Sequence, residues 1–163
     1  MQVEKLAFAV SLWDGAKRLS ESMKTTLIGE IGIPFFLLLG FSVENGLKAY
    51  LELKSVPGKW KNSHDLSDLL DKAKSTGFVT SSDAEIFVRT LSVYHKEFAF
   101  RYPEKAGTAN VFTPPSSIAS VNRLLEDVAL NFDPKDILGT ASQHKADNSA
   151  LWQAIKIGIK LCP

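Results

Sequence analysis

At 163 residues, 45% apolar and 23% charged, the chain has the size and composition of one globular domain, which excludes the disordered and fibrous classes. A domain of this length buries roughly 68–70% of its unfolded surface, enough for a core without disulfides or metals. Nineteen Lys plus Arg against eighteen Asp plus Glu give a net charge of +1, which excludes the overall basic field of a DNA-coating protein but leaves room for a local basic groove.

Cys162 is the sole cysteine, so neither an intrachain disulfide nor a Cys-based zinc cluster forms within one chain. Met1-Gln2-Val3-Glu4-Lys5 lacks the apolar block of a secretory signal. The longest apolar stretch, Ile31 to Val43, contains Gly32, Pro34, Gly40 and Ser42 and falls short of the ~20 residues of a membrane span. The expectation is a soluble, cytoplasmic protein with no membrane segment and no cofactor.

In chain order, Leu6, Val10, Trp13, Ala16, Leu19 and Met23 step by three and four, which predicts an amphipathic first helix over about 4–23. Gly29 and Gly32 interrupt the pattern, and Pro34 is predicted to open a second helix running to about Lys54. Its first half, Phe35 to Phe41, is apolar nearly all round and is expected to be the most buried element. Ser55-Val56-Pro57-Gly58 ends it. Asn62-Ser63 leads into a short third helix with Leu66, Leu69, Leu70 and Ala73, closed by Gly77. Ser82 with Glu85 has the spacing of a capping box for a fourth helix carrying Ala84, Phe87, Leu91, Tyr94 and Phe98, which Pro103 stops. Ser116-Ser117 is predicted to cap a fifth helix with Ile118, Val121, Leu125, Val128 and Phe132 on one side, ended by Asp133-Pro134. Residues 136–163 are read as a polar linker and a C-terminal helix, through Leu151, Ile155 and Ile159, packed on the 1–135 bundle or on a partner. No strand alternation and no internal repeat is present, so the fold class is all-α, a four- to five-helix bundle.

Two stretches carry a resemblance. Val43-Glu44-Asn45-Gly46-Leu47-Lys48-Ala49 is followed by His64-Asp65-Leu66, and Leu91-Ser92-Val93-Tyr94 runs on to Arg101-Tyr102-Pro103-Glu104. In this order they resemble small HEPN domains across about residues 4–130. The resemblance implies an antiparallel four-helix core with one or two further helices, commonly dimeric. It also implies a superfamily of nucleotide-binding domains, partners of nucleotidyltransferases in toxin-antitoxin-like pairs, and metal-independent ribonucleases. On this reading an interhelical groove lined by Lys48, Arg89, His95, Arg101 and Tyr102 engages a nucleotide or an RNA segment, with His64 as a further ligand-binding candidate.

Each of these residues also has a plainer explanation. Glu44 and Lys48, four apart with the acid first, fit a surface ion pair. His64 stands between Ser63 and Asp65 at a helix start, where all three are available to cap. Arg101 in a last helical turn complements the helix dipole, and Pro103 ends a helix in any protein. Trp60 between Lys59 and Lys61 is either a base-stacking platform or a lid over the core.

Arg89 and His95, with five residues between them, match the Arg-(four to six)-His spacing of HEPN ribonucleases. Arg would hold the scissile phosphate and His would move the 2′-hydroxyl proton. On a regular helix their six steps of about 100° leave the two side chains about 120° apart, so catalysis by this pair requires a dimer or a helix break. Thr90 and Lys96 depart from the nuclease pattern; the alternative is a solvated Arg with a surface or packed His. No metal cluster is visible in the sequence. A non-catalytic docking protein is the remaining reading, with Phe35 to Phe41 and the C-terminal helix as contact surfaces.

Overall fold

The residues from Phe35 to Leu51 are too apolar for a helix built from them to stand in water, and that helix becomes the element on which the others pack. The computed structural model describes residues 2–22, 28–97, 112–139 and 150–161. Among these the chain is all-α: α1 (Gln2–Ser22), α2 (Ile28–Leu53), a 3-10 turn (Lys59–Asn62), α3 (Leu66–Ser75), α4 (Ser82–His95), α5 (Pro114–Ala129), α6 (Pro134–Gly139) and α7 (Ala150–Leu161). Helix α2 packs against α1, α3, α4 and α5; α1 and α4 both reach α5; α7 lies against α1, α5 and α6. No helix among the described residues is long and apolar enough to cross a membrane.

The periodic stripes meet in one core. Leu6, Val10 and Trp13 of α1, Phe35, Leu39, Val43 and Leu47 of α2, Phe87 and Leu91 of α4, and Val121, Leu125 and Val128 of α5 are all buried there. Two polar ties fix the register of α1: Ser42 Oγ donates to the Ala9 carbonyl at 2.7 Å, and Trp13 Nε1 donates to the Ile118 carbonyl at 3.1 Å. The surfaces expected to dock a partner belong to this core instead. Phe35, Phe36 and Leu39 are buried, as are Leu151, Trp152 and Ile155 of α7, because α1 and α5 cover the apolar faces within the same chain.

Several boundaries differ from the sequence expectation. Helix α2 starts at Ile28 and carries Pro34 inside it, where the missing N–H leaves one carbonyl without its helical donor. Ser81, not Ser82, caps α4, its Oγ accepting from the Ala84 N–H at 3.3 Å. Helix α5 opens at Pro114 after Thr113, so Ser116 and Ser117 sit in its first turn, and Ser117 Oγ donates back to the Thr113 carbonyl at 2.9 Å. Helix α5 ends at Ala129, short of Asp133-Pro134, which opens α6 instead, with Asp133 Oδ1 accepting from the Lys135 N–H at 2.8 Å.

The ends of α2 and α3 use the same device. Ser55 N–H bonds to the Glu52 carbonyl and Val56 N–H to the Leu51 carbonyl; Gly77 and Phe78 repeat the pattern on Lys74 and Ala73. Both are Schellman closures, which put one residue in the left-handed region. At α3 it is Gly77, at φ 95°; at α2 it is Ser55, at φ 51°. A left-handed L-residue costs roughly 1–2 kcal/mol, offset in part by the greater unfolded-state freedom of glycine. Ser55→Gly is therefore expected to stabilise the fold by about 0.5–1 kcal/mol in urea unfolding; a loss of stability would show that the Ser55 side chain contributes more than its backbone strain.

Candidate functional site

Glu44 and Lys48 lie one turn apart on α2, and both are buried. The pair has the order expected of a surface ion pair but does not sit on the surface, since the turn before α3 and the end of α4 close over it. Lys48 Nζ donates to Glu44 Oε1 at 2.8 Å and to the Lys61 carbonyl at 2.8 Å. The other carboxylate oxygen, Oε2, meets two imidazoles: His95 Nε2 at 2.7 Å and His64 Nδ1 at 3.1 Å. The three potential ligand atoms of Glu44, His64 and His95 lie within 4.8 Å of one another. This three-residue cluster is invisible in the linear sequence and departs from the expectation that the chain offers no metal-ligand set.

Each partner is placed by its own local structure. Trp60 is buried and its indole N–H donates to the Val56 carbonyl at 2.8 Å, which anchors the 3-10 turn that presents the Lys61 carbonyl to Lys48. The lid reading of Trp60 thus holds over the stacking platform. Capping of α3 falls to Asp65, not His64. Asp65 Oδ1 accepts from the Ser67 and Asp68 N–H groups at 3.1 and 3.2 Å, and from Ser92 Oγ at 2.8 Å. Ser92 is on α4, one turn before His95, so this cap locks the start of α3 to the face of α4 that carries His95. His95 also packs edge-on against Phe41, ring centres 5.2 Å apart.

The electrostatics follow from these contacts. Burial pushes the Glu44 carboxyl up, but hydrogen bonds from His95, Lys48 and His64 outweigh it and hold the group at about 2. Burial likewise raises Asp65, and the Ser92 hydroxyl, the α3 amides and Lys96 bring it below its ordinary value. Of the cluster, Glu44 and His95 are buried, while the His64 side chain is 37% exposed. His64 is the route from solvent to the buried carboxylate.

The two residues proposed as a ribonuclease pair have separate surroundings. The Arg89 guanidinium is bound by Asp71 at 2.6 Å and Glu85 at 2.9 Å, which push its pKa further up, whereas His95 is buried against α2. Within one protomer Arg89 and His95 have separate partners, in keeping with the different directions their six-residue helical spacing gives them. Arg101 and Tyr102 lie outside the described residues. Set beside known proteins, the chain matches no family model, no curated protein and no solved structure.

Two measurements test whether the cluster is a structural keystone. A Cβ at Gly40 would come within 2.9 Å of His95 Cε1 and closer still to Nδ1, while a Cβ at Gly46 would meet only the terminal Cδ2 of Leu125 at 2.7 Å. Alanine gains about 1 kcal/mol over glycine inside a helix, whereas overpacking a rigid ring costs about 1–3 kcal/mol. Gly40→Ala is expected to destabilise and Gly46→Ala to be near neutral in urea melts; equal effects would mean that the His95 ring is free to move away. Glu44→Ala leaves Lys48 buried beside imidazoles with no counter-charge, at a cost of about 3–5 kcal/mol. Adding Lys48→Met should recover a measurable part of that loss. Strict additivity of the two substitutions would remove the coupling claimed for the pair.

Proposed function

We propose that the chain is a HEPN-type helical module that binds a phosphate-bearing ligand, a nucleotide or an RNA segment, and acts as a homodimer. The observation that supports this reading is convergence. The residues that carry the resemblance, Glu44 and Lys48 on α2, His64-Asp65 before α3 and the end of α4, are far apart in sequence yet share one hydrogen-bonded network. A resemblance arising by chance places no such demand on tertiary structure.

The binding face on this reading differs from a groove lined by Lys48, Arg89 and His95. Lys48 and His95 are committed to Glu44, and Arg89 to Asp71 and Glu85. They support the site from behind. On this reading the face consists of His64 with the exposed Lys59 and Lys61 of the 3-10 turn and Lys96 at the end of α4, whose Nζ also lies 3.6 Å from Asp65 Oδ2. A cluster of cations around a half-exposed imidazole suits an anion approached from solvent, with affinity carried by phosphate contacts.

Titration with mononucleotides and with short single-stranded RNA, followed by intrinsic Trp fluorescence or anisotropy of labelled RNA, is expected to saturate and to weaken with salt. The double substitution Lys59→Glu, Lys61→Glu should abolish the response while leaving the fold intact, since both side chains are exposed on the 3-10 turn. Absence of any response at millimolar nucleotide and RNA would sink the reading.

A further inference from the structure

The Glu44 cluster brings one carboxylate oxygen and two imidazole nitrogens from three segments to one point. Lys48 engages Oε1, which leaves Oε2 to meet His95 Nε2 at 2.7 Å and His64 Nδ1 at 3.1 Å. We infer that Glu44 Oε2, His64 Nδ1 and His95 Nε2 are the three protein ligands of a site for one divalent transition ion of the Zn²⁺ type.

The donor atoms lie near the spacing such an ion requires. Ligand atoms about 2.0–2.1 Å from a tetrahedral Zn²⁺ lie roughly 3.3 Å from one another. The atoms here span distances from 2.7 Å up to a limit of 4.8 Å, so side-chain adjustment alone admits the ion between them. Two imidazoles and one carboxylate are a known zinc donor set, and a three-ligand set leaves a fourth position for water or substrate. The half-exposed His64 marks the side on which that position opens.

The supporting contacts resemble those that orient metal ligands. Lys48 holds Oε1 and thereby directs Oε2 at the imidazoles, and the Lys61 carbonyl holds Lys48 in turn. His95 is fixed by the Phe41 ring and by the α2 backbone at Gly40, where any side chain would displace it. Lys48 also sets selectivity. Its ammonium group opposes a second cation, so an ion held by charge and oxygen ligands, such as Mg²⁺ or Ca²⁺, is disfavoured, and one that bonds imidazole nitrogen is preferred. On binding, each imidazole surrenders the proton it shares with Oε2 to its other ring nitrogen or to water. The inference does not depend on nucleotide binding.

The test uses the full chain, stripped with chelator, in a Cys162→Ser background so that no thiolate contributes. Calorimetric titration with Zn²⁺ should show one saturable site, Co²⁺ should give the visible bands of a four- or five-coordinate ion, and Mg²⁺ should give neither. His64→Ala removes a ligand from a half-exposed loop position, where the fold survives, as circular dichroism would verify. It is expected to weaken Zn²⁺ binding at least about tenfold, since even outer-shell partners are worth 10–100-fold. A smaller loss, or no saturable binding of Zn²⁺ and Co²⁺ by the unsubstituted His64 chain, overturns the assignment and leaves the cluster a hydrogen-bonded network only.

Discussion

One buried carboxylate constrains this fold more than any other single group. Transfer of an ion from water into a protein interior costs several kcal/mol even after relaxation, and Glu44 remains ionised only because three donors from three segments converge on it. Each donor must arrive at a fixed place. The relative positions of α2, the turn before α3 and the end of α4 are therefore coupled through three hydrogen bonds to one carboxylate as well as through apolar contact.

The remaining polar structure around the site serves that requirement. Trp60 sets the 3-10 turn, Asp65 caps α3 and ties it to Ser92, and Ser92 lies on the same face of α4 as His95. Gly40 gives the His95 ring room against α2. These contacts are directional, whereas the core of leucines and phenylalanines is permissive about rotation and register. The aliphatic core supplies most of the driving force, and the polar network selects one arrangement among those the core would tolerate.

The same asymmetry gives the site its functional character. Glu44 and His95 are shielded, while His64 reaches solvent. A preorganised, partly shielded group with one accessible edge suits ligand capture better than a mobile surface loop does. The ion pairs of Arg89 with Asp71 and Glu85 are of a different kind. They lie in solvent, contribute little to stability, and direct the guanidinium away from the buried cluster.

Amphipathic periodicity, read residue by residue, determined the all-α class, the core stripes of α1, α4 and α5, and the C-terminal helix from Ala150, because a spacing of three and four reports which face of a helix avoids water. Gly77 marked the end of α3, whereas Gly29, Gly32 and Pro34 fall inside α2 and α5 ends before Pro134. Adjacent residues of equal capping ability, Ser81 beside Ser82, were separable only in three dimensions, where Ser81 alone has the extended backbone of a cap. Tertiary structure alone decided that Glu44 and Lys48 are buried rather than a surface pair, and that His64 and His95 meet them. A pattern along one helix records where its own apolar side lies; it holds no information about which neighbour covers a polar side chain. That is settled only when helices whose contacting residues are 20 and 51 positions apart pack together.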